Sequence, residues 1–252
     1  MCKKFKDRYP ETALGVHAGA GLNISSSLYH DNSREAFEYA LSYPELDWIE
    51  VDVQLSSDLT WWLFHDLELS RETNGSGNIP MLPDSYLTSI HYTTILQEKL
   101  TRLTDLPSDL KEKTLLLDVK EYVESTQQLI DSAQLITTLT TAKNHFSNGK
   151  VALICNSGRF VQTWVNQGFI VYLNCTSLQD FSGNSSKTFA NGAVFRLNDL
   201  TSDEIKLLKS QGKESIIYDI RSPKSIRKAL KIGASVVLTD DIKAAIIEKY
   251  KK

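Results

Sequence analysis

Short apolar runs alternate along this chain with stretches whose apolar positions recur every three or four residues. Eight runs read as buried strands: 13–17, 48–53, 114–119, 151–155, 169–173, 192–196, 215–220 and 235–239. Helical periodicity falls between them at 33–41, 125–142, 159–166, 202–209, 222–232 and 242–250. Several of these segments open on a capping residue. Asn32 or Ser33 precedes the first, Thr201 precedes Asp203 and Glu204, and Ser222 precedes Pro223 at the first helical position. Gly149, Gly168, Gly212 and Gly233 stand where a helix should end and the next strand begin. Eight strands, mostly followed by helices, in 252 residues predict an α/β protein, a (β/α)8 TIM barrel formed by residues 1–252 as one domain. A doubly wound open sheet is the alternative. Residues 181–186 contain Ser-Gly-Asn-Ser-Ser and make a poor fifth helix, so a loop is expected there. Residues 66–92, with Asn74-Gly75-Ser76-Gly77-Asn78, Pro80 and Pro83, read as a loop-rich insertion after the second strand.

The second strand holds the densest chemistry. Side chains two apart in a strand share a face, so Glu50 and Asp52 converge while Ile49, Val51 and Val53 take the other face. Two carboxylates that close repel one another unless a cation lies between them, and a hard divalent ion held by oxygen is the simplest remedy. They could equally form the wet face of a half-buried strand. A short following strand then delivers His65 and Asp66.

Other strand ends repeat the theme. The first ends in His17-Ala18-Gly19, the third offers Asp118 and Lys120 on one face, the seventh Asp219 and Arg221, and the eighth Asp240 and Asp241. In a barrel these ends open into one mouth, which brings two histidines, three carboxylates and a lysine together. That set has the makings of a metal-assisted phosphate site with acid and base partners. Taken singly, Asp118 and Lys120 could merely pair with each other, and His30, His91 and His145 read as structural residues on loops or helix ends. Gly19 and Gly21 lack the third glycine and the acidic partner of a dinucleotide fingerprint.

Composition narrows the partners. With 41% apolar and 23% charged residues the chain can bury a sizeable core, and its net charge of −3 gives no basic footprint for nucleic acid. The amino terminus is charged but no apolar segment follows it, and no run is long enough to span a bilayer. A cytoplasmic location without stable membrane insertion is therefore expected, and the Asn-x-Ser/Thr triplets at Asn23, Asn74, Asn174 and Asn184 carry no weight. Cys2, Cys155 and Cys175 lack metal spacing and are expected as thiols, the last two buried. Oligomeric state is not legible.

Taken together, these motifs resemble the glycerophosphodiester phosphodiesterase family, related in fold to phosphatidylinositol-specific phospholipase C. The match runs through His17-x-Gly19, Asp31-Asn32-Ser33, Ile49-Glu50-Val51-Asp52-Val53, His65-Asp66, Leu69-Ser70-Arg71-x-Thr73-x-Gly75, Asp118-Val119-Lys120 and the closing stretch 233–240. The resemblance implies a barrel with an extra segment after strand two, a divalent cation such as Mg²⁺ or Ca²⁺, and hydrolysis of a small phosphodiester. It places the metal ligands on Glu50, Asp52 and Asp118, the catalytic pair on His17 and His65, and a phosphate contact on Lys120. Three positions depart from the family pattern. Ala18 stands where arginine is usual, Asp118 where glutamate is usual, and Tyr218-Asp219-Ile220-Arg221 replaces Trp-Thr-Val-Asn. Arg196 or Arg221 is the candidate to restore the lost positive charge.

Two rival readings keep the fold. A phospholipase C- or D-like enzyme would use the same site on lipid head groups, with Trp61, Trp62 and residues 81–86 near a lipid surface. Of the two tryptophans, one is expected packed and the other near the rim. An inactive binding barrel is the third possibility.

Overall fold

The computed structural model describes residues 7–20, 24, 27–120, 122–123, 128–129 and 132–250. Eight parallel strands form a closed barrel: β1 (Ala13–Val16), β2 (Trp48–Leu55), β3 (Thr114–Val119), β4 (Lys150–Cys155), β5 (Ile170–Asn174), β6 (Gly192–Arg196), β7 (Glu214–Ile220) and β8 (Val236–Thr239). Each pairs with its sequence neighbours, and β1 closes the cylinder by pairing with both β2 and β8. Helices follow most strands, so the barrel expectation holds over the open sheet. Among the described residues no helix is long and apolar enough to cross a membrane.

Alternation along the strands builds two cores. Outward residues such as Ile49, Val51, Val53, Leu115 and Leu117 pack under the helices. Inward residues such as Leu116, Ala152, Tyr172, Ile216 and Leu238 fill the cylinder itself. The lumen is tight: a methyl group on Gly15 would lie 2.5 Å from Leu238 Cδ2 and 2.8 Å from Trp48 Cβ. Above this apolar plug, the next inward position on every strand is polar. Those positions are His17, Asp52, Asp118, Asn156, Asn174, Arg196, Tyr218 and Asp240. Period two thus converts eight separate sequence windows into one polar ring.

The capping expectations are met. Ser33 accepts from Ala36 N at the start of helix Arg34–Leu41, Thr201 and Glu204 form a reciprocal box, and Ser222 caps Pro223–Ile232. Four expectations need correction. The third helix begins at Ser132, not 125, because Gln128–Leu129 pairs antiparallel with Tyr122–Val123. Residues 125–127 and 130–131 lie outside the described residues. The stretch near 181–186 is helical after all: Ser177 caps Leu178–Gly183 by accepting from Asp180 N, and a 3-10 turn follows at Ser185–Thr188.

The insertion is also larger than 66–92. Trp61–Leu63 folds back antiparallel on β2, and Thr101–Arg102 adds beside it. Residues between them bury their own cluster of Phe64, Leu69, Ile79, Leu87, Ile90 and Tyr92 against Trp62. Both tryptophans are consequently buried, Trp61 in the main core and Trp62 in the insertion. Neither sits at a rim, because strand Trp61–Leu63 has packing on both faces. Cys155 and Cys175 are buried, as expected; Cys2 lies outside the described residues.

Candidate active site

All of that ring but Asp240, with Glu50, His65 and Lys120, lines an open cup of about 230 Å³ at the carboxyl ends of the strands. Glu50, Asp52 and Asp118 each bring a carboxylate oxygen to within 4.8 Å of the others. Glu50 and Asp52 are buried, and β2–β3 pairing sets Asp52 directly beside Asp118. Asn32 fixes Asp52 twice, donating from Nδ2 to its carboxylate (2.8 Å) and accepting from its backbone N (2.9 Å). The Ala18 N–H donates to Glu50 at 2.7 Å. Asn156 donates to Asp118 at 2.7 Å and is itself held by Asn174.

Charge in the cup is unbalanced. Lys120 Nζ lies 2.9 Å from Asp52 and 2.7 Å from Asp118. Burial opposes charge on both, yet the lysine keeps Asp52 below the ordinary carboxylate range, and the two aspartates hold Lys120 above its own. Among the described residues Glu50 has no ammonium beside it, only the His17 ring at 4.0 Å. Burial, then the charges of Asp52 and Asp118, lift its carboxyl to about 8, against the opposing pull of His17. Three clustered acids with one ammonium between them leave room for a further positive charge.

The two histidines share a design. His17 Nδ1 lies 3.0 Å from Asp240, and His65 Nδ1 lies 2.8 Å from Asp66. A carboxylate only accepts, so each Nδ1 carries a proton and each Nε2 is left for chemistry. His17 Nε2 lies 4.0 Å from Glu50. Burial alone would lower the His17 imidazole, but Asp240, Glu50 and Asp52 together raise it to about 10. His65 is also raised, chiefly by the charge of Asp52, and is the more exposed of the two.

Comparison with known proteins decides the family. The model described as the glycerophosphoryl diester phosphodiesterase family matches residues 17–244. The chain belongs to that family. No curated protein sequence matches it. Solved structures share the fold at low identity. An Agrobacterium tumefaciens protein described as a glycerophosphoryl diester phosphodiesterase superposes with a TM-score of 0.77 at 14% identity, covering 94% of this chain and 97% of that one. An Oleispira antarctica phosphodiesterase, solved with the product sn-glycerol-3-phosphate, gives 0.76 at 18% identity, covering 94% and 96%. A Parabacteroides distasonis glycerophosphoryl diester phosphodiesterase gives 0.66 at 20%, covering 96% and 87%.

Against the family pattern, the cup distinguishes the two arginines that could offset Ala18. Arg196 lines the cup, its guanidinium over the Tyr218 ring (5.7 Å) and its Nε donating to the Tyr218 hydroxyl at 3.2 Å. Arg221 is tied instead to Asp240 (3.2 Å) and Asp219 (3.4 Å). Asp219 sits at φ 63° where β7 slips register against β8, and faces Arg221 rather than the cup. Asp241 accepts from Ala244 N at the start of helix Ile242–Tyr250. His145 bonds the Leu106 carbonyl, and His91 bridges to Lys99 in the insertion.

Sequence reasoning missed Asn156 and Asn174 and the holding role of Asn32. The available signal was their position: the first two stand at the inward register of β4 and β5, one step past the apolar plug. His30 was expected as a merely structural loop residue. It is buried, stacked on the Tyr92 ring and bonded through Nδ1 to Asp31, contacts in keeping with that reading.

Proposed function

We propose that the chain hydrolyses glycerophosphodiesters to glycerol phosphate and an alcohol, in this cup and with a divalent cation. The carrying observation is that two histidines, each with Nδ1 held by its own aspartate, line one cup with three converging carboxylates. Glu50, Asp52 and Asp118 would hold the ion. The fit is favourable: an all-oxygen set suits a hard cation such as Mg²⁺ or Ca²⁺, and the lifted Glu50 carboxyl marks uncompensated negative charge. When bound, the ion supplies Lewis-acid stabilisation of a non-bridging phosphate oxygen.

The chain's own groups do the rest. Lys120, held at the floor by Asp52 and Asp118, presents its ammonium to the phosphate. Arg196 adds a second positive group from the opposite wall and takes over the role of the arginine replaced by Ala18. One histidine Nε2 removes the proton of the attacking hydroxyl, and the other delivers a proton to the departing alcohol oxygen. The attacker is water or the substrate's neighbouring hydroxyl; the latter route passes through a cyclic phosphate that water opens. Asp240 and Asp66 orient the rings and support the imidazolium form.

The lipid head-group reading loses the two tryptophans, which are both buried, and keeps only residues 81–86, where Met81 is exposed. Incubation of metal-stripped protein with glycerophosphodiesters of several alcohols, each with Mg²⁺ or Ca²⁺, tests the proposal. Release of glycerol phosphate that requires the ion is expected. Turnover that survives a strong chelator, or that occurs only on vesicles, would refute it.

A further inference from the structure

Each acid of the cup accepts a hydrogen bond from a neutral amide. Glu50 takes one from the Ala18 N–H at 2.7 Å, Asp52 from Asn32 Nδ2 at 2.8 Å, and Asp118 from Asn156 Nδ2 at 2.7 Å. A neutral donor fixes an oxygen but leaves its charge in place, whereas the Lys120 ammonium offsets charge. Asp118 is the least enclosed of the three: its side chain is 17% exposed, where those of Glu50 and Asp52 are 3%. Burial therefore restrains it least, and the donor from Asn156 matters most there.

The Asn156 amide is committed at both ends. Its Nδ2 also reaches the Val119 carbonyl at 3.2 Å, and its Oδ1 accepts from Asn174 Nδ2 at 2.7 Å. The nitrogen thus faces β3 and the oxygen faces β5. The two ends of an asparagine amide are alike in shape, so the hydrogen-bond pattern decides which one meets the carboxylate. Turned over, the amide would set its oxygen against two acceptors, Asp118 and the Val119 carbonyl. Asn174 grips the far end and keeps the group from rotating. On Asp118 itself, Oδ1 takes the Asn156 bond and Oδ2 the Lys120 bond. A carboxylate oxygen has two lone pairs, so each keeps one for an ion.

We propose that Asn156, braced by Asn174, is a positioning residue for the cation: it holds the Asp118 carboxylate where it completes the oxygen set of Glu50 and Asp52. The inference rests on the reading of the cup as a cation site. Without the amide, Asp118 is held by Lys120 alone, and that ammonium competes with the ion for the same charge. Three strand ends, β3, β4 and β5, thereby act together on one ligand, although only the first supplies it. Asn174 acts through Asn156, so the two form a relay rather than two independent supports.

Calorimetric titration of Mg²⁺ and of Ca²⁺ into the metal-stripped full chain, Asn156→Ala, Asn174→Ala and the double variant tests the relay. Both asparagines are exposed, so the substitutions should keep the fold, which urea unfolding of the metal-free proteins checks. Asn156→Ala should raise the cation Kd about 10- to 100-fold, the usual cost of losing a group that orients a ligand. Asn174→Ala should raise it by a smaller factor, and the double variant should bind no more weakly than Asn156→Ala. Turnover lost at a fixed cation concentration should return when the ion is raised to saturation, a recovery that damage to the fold would not show. A wild-type chain that binds neither ion removes the cation reading and this proposal with it. Wild-type binding with an Asn156→Ala Kd unchanged within about threefold overturns the positioning role and leaves the cup. Single effects that multiply in the double variant, or turnover that stays low at saturating cation, also overturn it.

Discussion

Asp240→Asn isolates what a buried carboxylate does for His17. The amide keeps the shape of the side chain but not its charge. The native contact is a 3.0 Å hydrogen bond between His17 Nδ1 and a carboxylate only 3% exposed. Hydrogen bonds to charged groups contribute about 1.5–3 kcal/mol. If that support is felt in the transition state, kcat/KM falls about 10- to 150-fold, at 1.36 kcal/mol per decade. The pH profile carries the sharper test. A neighbouring negative charge favours the imidazolium and raises its pKa, so removing Asp240 lowers it. The limb of the rate–pH curve governed by His17 then moves to lower pH, whether that limb rises or falls. Initial rates on a soluble glycerophosphodiester, from pH 5 to 10 with saturating cation, would show both effects. Asp241→Asn is the control, because Asp241 caps a helix and leaves His17 untouched. A change in kcat/KM below threefold with both limbs unmoved would refute the positioning role.

Other outcomes follow from the same geometry. Arg196→Met should raise KM about tenfold or more by removing a charged phosphate contact, while Arg221→Met, whose guanidinium is engaged by Asp219 and Asp240, should change KM far less; equal effects would exclude Arg196 as the phosphate clamp. Cation binding should weaken as pH drops below about 8, because the proton on Glu50 must leave first; calorimetry in buffers of different ionisation enthalpy should detect its release, and a Kd constant from pH 6 to 8 would contradict this. In the insertion, burial disfavours the Asp84 charge, but Ser56, Thr60 and Trp62 donate to it and hold its pKa below the ordinary value. A carboxyl so depressed stabilises the fold above its unfolded pKa near 4, and that stability is lost as pH falls through the lower folded value. Asp84→Ala should therefore cost about 2–3 kcal/mol at neutral pH in urea unfolding, and less in acid; no loss would show the three donors to be satisfied otherwise.

The local regularities of this protein were readable from its residues. Glu50 and Asp52 alternate with Ile49, Val51 and Val53, and that alternation alone separates the cup from the outer core. Ser33, Thr201 and Ser222 declare helix starts because a side-chain oxygen and a nearby N–H need only four residues to meet. The fold class followed from counting such units, and the motif set at 14–77 pointed to the family. The insertion was harder, since its core of Phe64, Leu69, Ile79 and Tyr92 has no period to read. The tryptophan expected at the rim is buried for the same reason: burial on both faces of a strand depends on what arrives from 40 residues away.

Contacts that tune the site were decided only by closure of the barrel. Asp240 meets His17 across 223 residues, and Asn32 meets Asp52 across 20. Asn156, Asn174 and Arg196 look like ordinary strand-end polar residues until eight strands curl into a cylinder and turn them inward. The same holds for His30, whose Asp31 neighbour is local but whose Glu72 and Tyr92 neighbours come from the insertion. Backbone preference and side-chain period act over a few residues, so the chain states them directly. The distance between two side chains on different strands depends on register, shear and packing of the whole, and no short window of sequence contains it.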